Sequence, residues 1–317
     1  MMAASRTATA FAPASIGNVG VGFDMLGLAI AGVGDRVTAS RTDGEGVHIA
    51  EVRSPDGNKH PELSAKTEQN TAGVAAAALW QAHGQGAVEL IVEKGIPLKS
   101  GMGSSAASAV AGCVAVNALL EQPLPTERLL EYSLAGEKLA SGVAHADNVA
   151  PSLYGGLVLC PPVLHPRTVL LPVPSGVSSV LLHPDLTVAT SEARGVLAEH
   201  YSMTQWLDQQ GYLAAFVASL ATGDVELMGA SLKDVLIEPQ RAAAVRCFPA
   251  VKAAALESGA LGSSLSGSGP SVFALCRDEL AGRVRDAMVA ACKADGLSCE
   301  AWISPLDASG AVVEATS

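Results

Sequence analysis

The chain has 317 residues, 49% hydrophobic and only 16% charged, which excludes a disordered chain and allows a substantial core without disulfides or structural metal. Acids outnumber bases 31 to 20, a formal charge of −11. That excludes a general nucleic-acid binder, which needs a basic footprint, and leaves a small anionic ligand open.

No apolar run approaches the ~20 residues of a membrane span; the longest, Ala72 to Trp80, is short and alanine-rich, so no membrane partner is expected. The N-terminal stretch MMAASRTATAFAPAS lacks the hydrophobic segment of a secretory signal. Six cysteines stand at 113, 160, 247, 276, 292 and 299, with no Cys-x-x-Cys pair. That spacing suits neither a zinc ribbon nor a disulfide framework, so a reducing, cytoplasmic setting is expected, with each cysteine a small buried apolar residue.

Glycines cluster at Gly17 to Gly34, Gly101 to Gly103 and Gly262 to Gly269, three sets of turns able to converge on one ligand. In chain order, the alternation of Val88, Leu90 and Val92 with Glu89, Ile91 and Glu93 predicts a strand. A turn-rich loop follows over Gly95 to Gly103, then an alanine-rich helix over Ser104 to Leu120. Thr126 can cap a second helix running to about Leu139, and Tyr154 to Cys160 reads as a buried strand. The proline-rich stretch Pro161 to Pro174 is the candidate domain boundary. Beyond it come a strand at Val180 to Leu182 and helices over Tyr212 to Leu220, Val225 to Ile237 and Arg241 to Glu257. The end reads as a strand (Ser271 to Cys276), a helix capped by Asp278 and running to Ala294, and a strand (Leu297 to Ser304). That unit fits an α+β sandwich, its helix striped by Leu280, Val284, Ala287 and Ala291.

The loop Pro97-Leu98-Lys99-Ser100-Gly101-Met102-Gly103-Ser104-Ser105-Ala106 joins a predicted strand to a predicted helix. Its glycines, the paired serines Ser104 and Ser105 and the unpaired donors of a helix N-terminus make a polyphosphate cradle. It has neither the Walker A nor the Gly-x-Gly-x-x-Gly spacing, and an ordinary serine-capped turn is the competing reading. Leu130, Leu134 and Glu137 share one helix face, so this carboxylate falls among apolar residues and needs a partner. A magnesium ion or an Arg or Lys would serve.

The loop resembles the central Pro-x-x-x-Gly-Leu-Gly-Ser-Ser motif of the GHMP small-molecule kinases, with Met102 in place of the usual Leu. The segments Ala12 to Asp24 and Gly262 to Pro270 resemble the first and third motifs of that family. Further segments are similar to the branch that acts on L-homoserine: His145 to Pro151 with Tyr154-Gly155-Gly156, Thr190 to Arg194, and Glu238 to Arg241. Ala198 departs from that branch, where a proline often follows the first arginine.

The resemblance implies a two-domain α+β fold. Residues 1–165 would bind ATP, and 166–317 would form a C-terminal, ferredoxin-like α/β sandwich. It implies phosphorylation of the side-chain hydroxyl of L-homoserine, with ATP as co-substrate, Mg2+ and a homodimer. Other kinases of the family, acting on mevalonate or sugars, and a non-catalytic sensor on the same fold are the alternatives. Carried over by residue, Pro97, Lys99, Ser100, Gly101, Met102, Gly103, Ser104 and Ser105 hold the phosphates, while Asn70 and Lys94 reach the ribose and adenine. Ser105 and Glu137 are the implied metal ligands. Arg194 and Arg241 take the substrate carboxylate in a guanidinium fork, and Asn18, Asp24 and Asp147 take its ammonium. Asn148 orients the hydroxyl, and Asp147 is the base if one operates, because phosphoryl transfer depends mainly on positioning and charge. His145 is expected to cap a turn, with donation to the substrate site as the alternative.

Overall fold

Two sheets organise the chain. The structure, a computed structural model, describes residues 7–141 and 145–317, so the first six residues of the N-terminal stretch read above lie outside it. The first sheet begins with β1 (Thr7–Gly17), whose opening residues alternate Thr and Ala and bury every alanine from 8 to 14. It pairs antiparallel with the long β2 (Leu26–Thr42). Next come β3 (Gly46–Arg53), helix α1 (Thr71–His83) and β4 (Ala87–Glu93), the last parallel to β3 and antiparallel to β2.

Three helices then build the layer over this sheet: α2 (Ser104–Asn117), α3 (Leu129–Ser141) and α4 (Ala146–Tyr154). Every residue of α2 from Ala106 to Asn117 is buried. That explains a sequence apolar on all sides and not striped. A hairpin, β5 (Leu157–Leu159) and β6 (Val169–Leu171), extends the sheet from β2.

The second sheet starts at β7 (Val177–Pro184). After it run α5 (Thr190–Gly195), α6 (Met203–Thr222), α7 (Val225–Ser231), α8 (Glu238–Arg241) and α9 (Phe248–Glu257). The chain closes with β8 (Gly262–Leu265), β9 (Val272–Arg277), α10 (Ala281–Ala294), β10 (Cys299–Pro305) and β11 (Val312–Thr316). The antiparallel order β10-β7-β9-β8, with α9 and α10 as the crossing helices, is the ferredoxin-like arrangement. Val180, Leu182, Val272 and Ala274 pack with α9 and α10, while Leu181, Phe273 and Leu275 join the core of the first sheet with Phe216 of α6.

Several expected boundaries move. Thr126 lies inside a short 3-10 turn and caps nothing; the helix proper starts at Leu129. Tyr154 ends α4, so the strand expected from it begins only at Leu157. The helix expected over Val225 to Ile237 stops at Ser231, because the Asp234 carboxylate takes the N–H groups of Leu236, Ile237 and Glu238. The helix expected from Arg241 starts instead at Phe248, with Pro249 in its first turn. Asp278 opens a 3-10 turn, and its carboxylate accepts from Ser178 Oγ at 2.6 Å. A division at residue 165 separates β5 from β6, and β11 returns to pair with β1. The sheets therefore do not follow two contiguous halves. All six cysteines are free, five of them buried.

Candidate active site

The glycine loop ends where α2 begins. Gly103 is the N-cap in the left-handed region (φ 68°), and no side chain caps the helix. A β-carbon at 103 would lie 2.2 Å from Ser15 Oγ and 3.1 Å from Asn148 Oδ1, so loop, β1 and α4 close on one point. The first N–H groups of α2 have no intrahelical acceptors and carry the positive end of the helix dipole. Ser105 Oγ, in the first turn, donates to Glu137 Oε2 at 2.7 Å. Glu137 reaches it because Gly136 lets α3 press in: a β-carbon there would lie 2.4 Å from the Thr71 carbonyl oxygen. Ser104 Oγ turns away, donating to the Ile96 carbonyl at 3.1 Å, and the Met102 side chain is fully buried.

The head of α4 supplies the next wall. Asp147 is buried, and its carboxyl is pushed up to about 7, chiefly by burial and then by the charges of Asp24 and Glu137. Asn148 Oδ1 accepts from Ser15 Oγ at 2.9 Å. Across the cleft, Arg194 grips Asp24 with both terminal nitrogens, at 3.1 and 2.9 Å. Arg241 is buried, and carbonyls of Ala193 and Gly267 take its Nε and Nη1 at 3.1 and 3.0 Å. Burial, and secondarily Arg194, lower the Arg241 pKa. A cleft of about 360 Å³ opens beside Asp24 and His145, within the size range of small-molecule sites.

Residues 70–156 match the N terminal domain of GHMP kinases and residues 215–294 the C terminal domain. Homoserine kinase from Xylella fastidiosa is 47% identical over 97% of this chain and 94% of its own length. That from Chlorobium phaeobacteroides is 39% identical over 97% and 99%. The crystal structure of homoserine kinase from Cytophaga hutchinsonii superposes with a TM-score of 0.94 at 38% identity, covering 99% of both chains. The chain belongs to the homoserine kinase family of the GHMP kinases. A mevalonate kinase from L. major, at 15% identity and a TM-score of 0.69, shares the fold. No helix among the described residues is long and apolar enough to cross a membrane.

The structure sets Gly103 of the loop against Asn148, Gly17 against Asp147 and Asn148, Ser105 on Glu137 and Arg194 on Asp24, and of these residues Asp24 lines the cleft of about 360 Å³. It spends others inside the protein. The Lys94 ammonium, expected at the nucleotide, is buried against Asp35 and also donates to the Ser104 carbonyl (3.0 Å) and Ser108 Oγ (2.7 Å), which uses all three protons. Asn70 caps α1, accepting from Ala72 and Gly73 and donating to the Ser64 carbonyl. Asn18 braces the turn after β1: its Oδ1 accepts from the Asp24 N–H, and its Nδ2 donates to the Gly267 carbonyl, both at 3.0 Å. The Ser100 hydroxyl turns back to Met102 N–H at 3.3 Å, and the Lys99 carbonyl accepts from Val188 N–H at 3.1 Å. Pro97 lies in the loop just before them, half-buried. His145 makes no side-chain cap; its Nε2 sits 3.3 Å from Arg194 Nη2.

Four supporting residues escaped the sequence reading: Asp35, Ser15, Gln209 and Ser271. Asp35 accepts from the N–H groups of Gly95 and Ile96 and from Ser108 Oγ, so it anchors the loop's entrance. Its signal was present as a lone carboxylate inside a strand, between Val33 and Val37. Gln209 Nε2 holds the Val21 carbonyl at 2.9 Å, and Ser271 Oγ holds the Ser100 carbonyl at 2.7 Å. Nothing in their local sequence distinguishes those two.

Proposed function

We propose that the chain transfers the γ-phosphoryl group of ATP to the side-chain hydroxyl of L-homoserine, giving O-phospho-L-homoserine and ADP, as its family does. One observation carries the assignment of residues: the uncapped head of α2, with Ser105 on Glu137, meets Asp147 and Asn148 at the same point, and the Asp24–Arg194 pair faces them. The helix head and the glycine loop bind the triphosphate through backbone N–H groups.

Ser105 and Glu137 present two oxygen donors side by side, which suits a hard divalent cation, and Mg2+ is assigned to them. When bound, the ion offsets negative charge on the phosphates. Glu137 also exerts a charge effect on Asp147, so the metal and transfer positions are electrostatically linked.

The Asp24–Arg194 pair mirrors the two charges of an amino acid. A zwitterion can replace it with no net change of charge, its ammonium on Asp24 and its carboxylate on Arg194. The Arg241 Nη2 makes no hydrogen bond among the described residues and offers the carboxylate a second donor. Asn148 orients the hydroxyl, and Asp147 holds its proton as the oxygen attacks phosphorus. Asn18 serves by holding Asp24 in place. A cytoplasmic setting and a homodimer belong to the same reading, the latter tested by sedimentation velocity.

The test is ADP release with homoserine, mevalonate, galactose and no acceptor. Homoserine-dependent turnover is expected; turnover with mevalonate or galactose in its place would overturn the assignment.

A further inference from the structure

Phe23 stands in the turn between β1 and β2, directly before Asp24. Its side chain is half-buried, yet it belongs to neither apolar core, unlike the buried Phe216, Phe248 and Phe273. Its ring meets two cations instead. The Arg194 guanidinium carbon lies 5.4 Å from the ring centroid and that of Arg241 lies 5.1 Å from it. Both distances fall inside the reach of a cation–π interaction.

The two arginines come from separate elements, α5 and α8, and carry like charge. They repel, Arg194 being the second contribution lowering the Arg241 pKa, and Asp24, held by Arg194, offsets part of that repulsion. A carboxylate between them would cancel the repulsion but would also consume their N–H donors. An aromatic face attracts both cations without taking in-plane donors, so Arg194 can hold Asp24, Arg241 can hold the Ala193 and Gly267 carbonyls, and Arg241 Nη2 stays open.

We infer that Phe23 is a positioning residue for the carboxylate end of the substrate: its ring is a shared floor that fixes the spacing of Arg194 and Arg241 and so favours a compact, charged α-carboxylate. This rests on the assignment of those arginines to the substrate carboxylate.

Steady-state kinetics of Phe23→Leu, Phe23→Tyr and Arg194→Ala test it, with homoserine, homoserine methyl ester and ATP each varied in turn. Phe23→Leu is expected to raise KM for homoserine about 3- to 10-fold, with kcat and KM for ATP unchanged. Phe23→Tyr keeps the aromatic face and restores the wild-type KM. The ester lacks the carboxylate charge, so its KM changes far less in Phe23→Leu. If Arg194→Ala raises KM for homoserine while Phe23→Leu leaves it at the wild-type value, the inference is overturned and the arginine assignment stands. If Arg194→Ala has no effect on that KM, both go together. Equal increases for homoserine, ester and ATP in Phe23→Leu, without rescue by tyrosine, would reduce Phe23 to packing and also overturn it.

Discussion

Asp147 carries the sharpest prediction at the scale of single residues. Burial, Asp24 and Glu137 hold its carboxyl protonated up to about 7, well above the ordinary carboxylate range. A group that must accept a proton works only when ionised. The kcat/KM for homoserine should therefore fall on the acid side of about pH 7, and Asp147→Asn should erase that limb while lowering turnover about 100-fold or more. A limb that survives the substitution would move Asp147 from proton transfer to binding. The stability effect has its own sign. The native state holds this proton between the ordinary carboxylate range and about pH 7, whereas the unfolded state does not, so this group's contribution to stability falls as pH rises across that window. Glu137→Gln addresses the metal: turnover should drop about 100-fold, and raising Mg2+ should recover only part of it, because an amide is a poor ligand for a hard cation. Wild-type turnover at ordinary Mg2+ would remove Glu137 from that role. Glu137 was legible because a charge on an apolar helix face demands a partner, whereas Asp147 came from the resemblance of its segment alone. Lys94 obeys the same rule, but its partner Asp35 lies 59 residues away, where no local pattern points.

Elements decide how closely these groups approach. The alanine-rich stretch of α2 was readable as a helix, and the small side chains of α1 and α2 explain the close approach of α3. What no pattern showed is that Gly136 rests on the Thr71 carbonyl and so sets the Ser105–Glu137 distance. A methyl group at 136 would also lie 2.8 Å from the Ala109 β-carbon. Gly136→Ala should cost about 1–3 kcal/mol in denaturant unfolding, the usual penalty for overpacking. It should also raise the Mg2+ concentration needed for half-maximal activity by moving α3 outward. A destabilised variant with an unchanged Mg2+ requirement would separate α3 packing from the metal site. The helix break after residue 231 was hidden for a related reason: it depends on how the Asp234 carboxylate folds back onto three N–H groups, a three-dimensional choice the periodicity does not record.

At the scale of the whole molecule, the two sheets meet at the phosphate loop. The ferredoxin-like unit was legible from its terminal strand–helix–strand pattern, but β11 was not assigned to the first sheet. Its residues are all exposed; backbone pairing sets it beside β1, and Glu314 reaches across to Arg36 of β2. The third glycine motif was readable as part of the site, and its use is now specific. Ser266 Oγ donates to the Gly101 carbonyl at 2.6 Å, Ser271 Oγ donates to the Ser100 carbonyl at 2.7 Å, and Gly267 N–H donates to the Gly17 carbonyl at 3.0 Å. The second sheet thus holds the loop through the carbonyls of Ser100 and Gly101. Removing both hydroxyls with Ser266→Ala and Ser271→Ala deletes the two hydrogen bonds to the loop, about 1 kcal/mol each, together with the bond between Ser271 Oγ and His183 Nδ1. The loop should lose its fixed shape before the fold is lost, because Ser271 N–H still bonds to the Ser100 carbonyl at 3.2 Å. KM for ATP is therefore expected to rise about 5- to 30-fold in the double variant, with a much smaller change for homoserine, since Asp24 and Arg194 are held by other bonds. Titration with a non-hydrolysable ATP analogue checks this directly. Wild-type affinity for the analogue, with only a lowered melting temperature, would mean that the second sheet supports the loop without shaping it.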